Sequence, residues 1–470
     1  MGRSARPASP QSHFVQLRLR GLQLPEQASF AAGDVATVSW PNEMHVRMTA
    51  QPVPIRSTIA WVILIATAWA RGAHASPEPT VPTPTPEPPL VAASGEEKAP
   101  EMELPRESAI ENALGRAPAM SGSAFGGYGE LTLNAPSNAP SVVDMRRLVL
   151  FFGHNFTDRL RFYSEFEVEH AVASSSDQGE AEVEQAYLDG LLSRRINLRG
   201  GLILMPMGIV NVYHEPPSYS GVDRPDVDTF VIPSTWREPG FGIFGEIAEG
   251  LRYQLYFVNG FNANGFTAES AIREGHQEAQ LAYAGDYGGI ARIDYEPILG
   301  TVIGASAYGA SSGNTLKSTV GRVPVGLFDV DARFHKGGFS ARAEVALLLI
   351  GDAGKLNQAL LAGTPEQQAA GPVASQARGG YAEVAYDVLR FLAPSSEQVL
   401  NAFTRFDYAN TQAAVPSGFA PRPEFRRYSQ MVGLVYKPIP QIALKMDYRR
   451  HWLGDDEAFN ELAAAITWLF

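Results

Sequence analysis

From about Ser123 to the C-terminus the chain alternates apolar and polar residues with period 2 over stretches of about ten residues. Successive side chains of a β-strand point to opposite faces, so such alternation predicts strands with one face on an apolar medium and the other on water. Leu160, Phe162, Phe166 and Val168 share one face, interrupted by Ser164, while Arg161, Tyr163, Glu165, Glu167 and Glu169 share the other. Phe328, Val330, Ala332 and Phe334 alternate with Asp329, Asp331, Arg333 and His335. Ile442, Leu444, Met446 and Tyr448 alternate with Ala443, Lys445, Asp447, Arg449 and His451. In the last stretch Leu462, Ala464, Ile466, Trp468 and the terminal Phe470 face one way.

A soluble sandwich also alternates. Here, however, charged faces recur in strand after strand, no helix-period segment is available to cover them, and the connections alternate short and long. Tight turns are expected at 155–158, 193–195, 249–250, 297–300, 336–338 and 438–440, with a longer one near 393–397. Long loops are expected near 134–141, 171–181, 208–236, 262–280, 312–322, 352–375, 411–424 and 454–459. The reading is all-β: a transmembrane antiparallel β-barrel of about 16 strands, with short periplasmic turns and long extracellular loops. The stretch 276–296 holds one strand or two, so 18 strands is the alternative. A closed barrel leaves no edge whose N–H and C=O groups face lipid without partners. Aromatics near strand ends (Tyr128, Tyr163, Tyr187, Trp452 and Trp468) are candidates for the interfacial girdles.

The 470 residues are not all barrel. Arg47 and Arg56 precede an apolar run, Thr58 to Ala70, and Ala73-His74-Ala75 is a small-x-small cleavage site before Ser76. Residues 44–75 read as a secretory signal, with Met44 or Met48 as the expected start of translation and 1–43 as an untranslated or unstructured extension. Residues 76–120 begin SPEPTVPTPTPEPPL, a polyproline-II-type linker, and continue Glu-rich through a short helix expected at Arg106 to Arg116. The barrel is assigned to 121–470.

Composition narrows the function. Net charge is −12, which argues against a nucleic-acid partner. No apolar run reaches the length of a helical membrane span, so a helical membrane protein is excluded. Cysteine is absent, in keeping with an exported barrel closed by its own hydrogen bonds. Residues 121–470 alone carry 39 acidic and 28 basic residues, so the barrel itself is acidic.

A sixteen-stranded barrel is wide enough for an aqueous channel. Candidate pore-lining residues on the polar faces are Arg161, Glu165, Glu167, Arg199, Asp329, Asp331, Arg333, Arg342, Glu344, Lys445, Asp447 and Arg449, with Glu169 and Glu383 of the same kind. No nucleophile motif accompanies His154, His335 or His451, so a barrel hydrolase is a minor alternative and the protein is not expected to be an enzyme. No His, Asp or Glu set has convincing ligand spacing; no metal and no cofactor are expected.

The segments GGYGELTL (126–133), FYSEFEVEHA (162–171), EQAYLDGLLSRRINLRGGLILMPMGIVN (184–211) and WREPGFGIFGEI (236–247) resemble the phosphate-selective porin O/P family of outer-membrane porins. The match is to that family's front half; the back half shares only strand rhythm. The resemblance implies a passive channel for small hydrophilic solutes or ions in the bacterial outer membrane. It further implies contact with outer-membrane lipid, assembly as a homotrimer, and a third long loop folded into the lumen. That loop corresponds to 208–236, which makes Asp223, Arg224, Asp226 and Asp228 constriction candidates. Trp468 and Phe470 correspond to the C-terminal signal read by the barrel assembly machinery. Anion selectivity in the family rests on lumen Arg and Lys ladders. The mixed, net-acidic lumen here departs from that, so phosphate selectivity is not carried over and a weak preference for cations or neutral solutes is expected. The main alternative function is a non-conducting anchor that tethers the cell wall through residues 76–120.

Overall fold

A computed structural model describes residues 122–173, 179–316 and 318–470, together with the backbone of two four-residue strands, Ala36–Ser39 and His45–Met48, paired antiparallel. Otherwise the expected extension, export signal and linker lie outside the described residues, as does the short helix expected at 106–116.

Sixteen strands form one closed antiparallel barrel, each paired with its neighbours in sequence. They are β1 Ser123–Pro136, β2 Val142–Asn155, β3 Leu160–Glu169, β4 Ala181–Leu191, β5 Asn197–Leu204, β6 Arg237–Ala248, β7 Leu251–Asn259 and β8 Tyr287–Ile298. The second half comprises β9 Thr301–Ser311, β10 Pro324–Lys336, β11 Phe339–Ile350, β12 Gln376–Asp387, β13 Val399–Ala414, β14 Arg426–Ile439, β15 Ile442–Leu453 and β16 Ala458–Leu469. The expected count of 16 is met, and the doubtful stretch holds the single strand β8. Residues 260–286 before it form a long loop with only short 3₁₀ turns at Ala263–Gly265 and Arg273–Gly275.

β16 pairs with β1, Ala464 opposite Leu133 and Trp468 opposite Gly129. Phe470 completes the seam: its N–H donates to the Gly127 carbonyl at 2.8 Å, and its own carbonyl accepts from Gly127 N–H at 3.0 Å. Both barrel ends and the seven connections that follow even-numbered strands share one rim; the eight that follow odd-numbered strands, the 205–236 connection among them, share the other. Backbone geometry fixes some turns. Gly300 joins β8 to β9 at φ +82°, where a Cβ would meet the His335 carbonyl oxygen at 2.2 Å. The connection expected near 393–397 instead spans 388–398 and carries one helical turn, Leu389–Leu392.

The burial pattern is that of a soluble protein turned inside out. On β10, Phe328 and Val330 are 46% and 53% exposed, whereas Asp329 and Asp331 are 3% and 1% exposed. Ile466 and Phe470 face outward beside the buried Ala463, Ala465 and Thr467. An outer wall of large apolar side chains around a charged interior is stable only where the outer medium is lipid. Among the described residues no helix is long and apolar enough to cross a membrane; the strands do the crossing. Strand parity corrects one expectation about the girdles. Trp452 lies on the outer face, but Tyr128, Tyr163 and Tyr187 are buried inside, because they share faces with Glu130, Glu165 and Asp189.

Candidate functional site

The connection from β5 to β6, residues 205–236, does not extend outward. It runs inside the barrel and is almost wholly buried. Its stem is pinched by Asn211, whose amide donates to the carbonyls of Met205 (2.7 Å) and Trp236 (3.0 Å) and whose Oδ1 accepts from Trp236 N–H at 2.6 Å. The loop carries its own apolar side chains inward: Met205, Met207, Ile209, Val227, Val231, Ile232 and Trp236 join one core with Phe261 and Phe266 of the next long loop and with Tyr308, Leu327 and Leu348 of β9–β11. The Trp236 ring stacks on Phe261 at 5.0 Å and meets Tyr308 edge-on at 4.8 Å. Burying that apolar face gives the loop a reason to turn inward rather than into water.

The loop's polar side is tied to the charged wall. Glu344 of β11 accepts from Ile209 N–H at 2.9 Å, and Arg292 of β8 donates to the Gly208 carbonyl at 3.2 Å. Gly208 has φ +68°, and a Cβ there would meet Glu344 Oε1 at 2.5 Å; this close approach requires glycine. Ser220 donates to Glu383 of β12 at 2.7 Å. Lys445 of β15 donates to the Gly221 carbonyl at 2.9 Å and lies over the Tyr219 ring. Val222 N–H donates to Asp447 at 2.7 Å, and Lys437 of β14 reaches the Pro217 carbonyl at 2.8 Å. Asp223 is clamped by Arg146 of β2 (2.6 Å), by Arg449 of β15 and by Asn134 of β1. Burial alone would raise the Asp223 carboxyl; Arg449 and Arg146 overcome it and hold the pKa well below the usual carboxylate range. Asp226 N–H donates to Asp407 of β13 at 3.2 Å.

The loop thus bridges the lumen, with partners on β1–β4 and β8–β15. Of the expected pore-lining residues, Glu344, Lys445, Asp447, Arg449 and Asp329 hold loop groups directly, and Arg342 reaches the Ser218 carbonyl at 3.3 Å and Glu383 at 3.3 Å. Asp331 pairs with Arg292 at 2.7 Å, and the Arg333 guanidinium covers the Tyr213 ring at 4.8 Å. Glu167 is 3.6 Å from Arg147. Arg199 is set apart: it forms a two-point pair with Asp189, both contacts at 2.8 Å, and covers Tyr187. Arg161 lies at the turn end of β3, opposite Asp189 of β4. All four constriction candidates lie inside the barrel. Asp228 is wholly buried near Asp329 and Glu344, and burial, with Asp329 reinforcing it, pushes its carboxyl up to about 8.

Sequence reading missed His214, Glu184, Arg292, Arg405 and Asp407. Period-2 parity was a usable signal for the last three: Arg292 shares a face with Asp294, and Arg405 with Asp407, which it contacts at 2.8 Å. His214 sits in the loop, where no periodicity operates. Its Nε2 is 3.4 Å from Glu184 and 3.6 Å from Glu165. Burial opposes protonation of His214, but these carboxylates outweigh it and hold its pKa well above the ordinary value. The histidines considered for hydrolysis are dispersed. His451 meets Glu461 at 3.1 Å; His154 bonds Ser123 Oγ at 2.7 Å, flanked by the rings of Phe152 and Phe156 rather than by a carboxylate.

At the long-loop rim a polar cavity of about 300 Å³ opens between β3, β4 and the two inner loops. Its walls carry six glutamates, among them Glu167, Glu182 and Glu278, against four arginines, Arg147, Arg224, Arg237 and Arg273.

The fold defines a transmembrane β-barrel with an internally bound loop. The chain belongs to the family of an uncharacterized protein of Aquifex aeolicus (strain VF5), with which it is 36% identical over 354 residues, 74% of this chain and 80% of the relative. No protein-family model matches the chain. Among solved structures it is similar to the outer-membrane channel DcaP of Acinetobacter baumannii (11% identity, 75% of this chain and 99% of that one, TM-score 0.49). It is also similar to OmpF of Salmonella typhi (11%, 74% and 97%, 0.48) and to an anion-selective porin from Comamonas acidovorans (9%, 74% and 100%, 0.48).

Proposed function

We propose that the protein is an outer-membrane channel of small aperture for hydrophilic solutes, with the 205–236 loop setting the aperture. One observation carries this reading: a lipid-facing wall closes around a charged interior into which the 205–236 loop folds, tied to that wall by polar contacts, below a polar mouth of about 300 Å³. The reading follows the phosphate-selective porin O/P resemblance in architecture, including export, insertion by the barrel assembly machinery and a homotrimer, but not in phosphate selectivity. Acidic groups outnumber basic ones at the mouth, which favours cations and neutral solutes over anions.

Reconstitution of the purified protein in a planar bilayer tests this. Small, stable single-channel steps with a cation-side reversal potential are expected; a clear anion preference sinks the selectivity, and no steps at all sink the channel. A second reading draws on the tightness of the loop's contacts: a non-conducting barrel that anchors the wall through residues 76–120. Silence of both the intact protein and a variant lacking residues 209–233 supports it.

A further inference from the structure

We propose that Glu165, Glu184 and His214 form a divalent transition-metal site that fastens the internal loop to the barrel wall. The residues come from β3, β4 and the loop, and their ligand atoms all lie within 4.8 Å of one another. A cation held tetrahedrally by N and O ligands at about 2.1 Å sets those ligands about 3.4 Å apart. His214 Nε2 stands 3.4 Å from Glu184 Oε1 and 3.6 Å from Glu165 Oε2.

The second observation is that these buried atoms have no partner outside the cluster. Glu165, Glu184 and His214 are 2%, 0% and 1% exposed, yet apart from their approach to one another Glu165 Oε2, Glu184 Oε1 and both ring nitrogens of His214 have no hydrogen-bond partner. Buried polar atoms nearly always have one. Here such atoms converge from three separate segments.

Charge points the same way. A protonated His214 between two carboxylates leaves a net negative charge buried beside further acids, Glu167 and Glu215. The arginines that act on Glu184 are engaged elsewhere, Arg147 by Glu130 at 3.0 Å and Glu167 at 3.6 Å, and Arg237 by Glu182 and by Glu278 at 3.4 Å. A neutral imidazole with two carboxylates carries −2, which a divalent cation cancels. The Tyr128 hydroxyl donates to the other oxygen of Glu184 at 3.3 Å, the kind of outer contact that orients a ligand. A mixed N/O set suits zinc, manganese, iron(II) or cobalt; magnesium and calcium take oxygen ligands in larger number. The polar cavity at the rim is lined by Glu167, Glu169 and Glu182 of the same two strands, which gives a cation an acidic path inward. The gating consequence rests on the channel reading; the binding does not.

The test uses the full-length protein purified from membranes, stripped with chelator and titrated with Co²⁺. Binding is read by visible absorption and by elemental analysis after desalting. One Co²⁺ per chain, displaced by Zn²⁺, is expected. His214→Gln and Glu184→Gln are each expected to weaken binding by about 100-fold or more. Heat-modifiable mobility on gels checks that each variant is folded, and Glu165→Gln replaces any variant that is not. No Co²⁺ binding by the folded wild type, or unchanged binding in a folded variant, overturns the site. If Co²⁺ binds normally but no conductance is found, the site stands and the channel reading fails.

Discussion

Asp223, midway along the internal loop, meets Arg146 of β2 at 2.6 Å, so a residue 77 positions away in sequence fixes the loop across the lumen. Arg449 holds the other oxygen of the same carboxylate. Hydrogen bonds to charged groups contribute about 1.5–3 kcal/mol when buried, and the partial exposure of Asp223 reduces this. Asp223→Ala is expected to loosen the loop and raise single-channel conductance in a planar bilayer while the barrel stays folded. Conductance indistinguishable from wild type would show that this clamp does not set the aperture.

The apolar half of the loop is expected to matter more for stability than for passage. Trp236 fills the space between Phe261 and Tyr308, and truncating a fully buried Trp costs about 3–5 kcal/mol. Trp236→Ala should therefore lower the temperature at which the barrel loses its heat-modifiable mobility. An unchanged transition would mean the loop's core contributes nothing to barrel stability.

Loop docking should depend on pH through Asp228. This carboxyl faces Asp329, Asp331, Glu344, Arg224 and Arg405, and its folded value of about 8 lies above the ordinary aspartate range. A raised pKa means the docked state binds the proton more tightly, so docking is strongest below about pH 4 and weakens as pH rises toward 8. Asp223 has the opposite sign, but its loss of charge falls at far lower pH. Conductance is expected to rise between pH 4 and 8, and Asp228→Asn to flatten that rise; an equal slope in the variant rejects Asp228 as the titrating group.

Selectivity is expected to follow the mouth. Glu278 pairs with Arg237 at 3.4 Å, and Glu182 contacts the same guanidinium. Glu182→Gln combined with Glu278→Gln leaves Arg237 without its acids and should move the reversal potential toward anions. A potential that does not move places the selective step elsewhere in the lumen.

Phe470 is bonded at both its N–H and its carbonyl to Gly127 across the seam. Deleting it removes two closing hydrogen bonds and an outward ring. The folded, heat-modifiable fraction in the membrane should drop; an undiminished yield would separate seam closure from assembly.

Much of the wall was legible in advance because strand parity is local. Alternation at Phe328–His335 gives the outward and inward rows directly, since a pleated backbone admits only two faces. Girdle assignments from aromatic type alone failed at Tyr128, Tyr163 and Tyr187, where parity, already visible at Glu130, Glu165 and Asp189, outweighs side-chain class. The loop was placed in the lumen only through the family resemblance, and its partners were not legible: Glu344, Asp447 and Arg146 meet it across separations of 135, 225 and 77 residues.

By itself, then, the sequence determined a closed, even-stranded barrel with an apolar exterior and a charged interior, ending in a seam strand that carries Phe470. These properties follow from a two-residue period and from the need to pair every backbone group in lipid. Only the tertiary structure decided that the 205–236 loop spans the lumen, that Glu344, Lys445, Asp447 and Arg449 hold it there, and that His214 reaches Glu165 and Glu184. Those outcomes depend on which side chains meet after the barrel closes, and no periodicity along the chain records that.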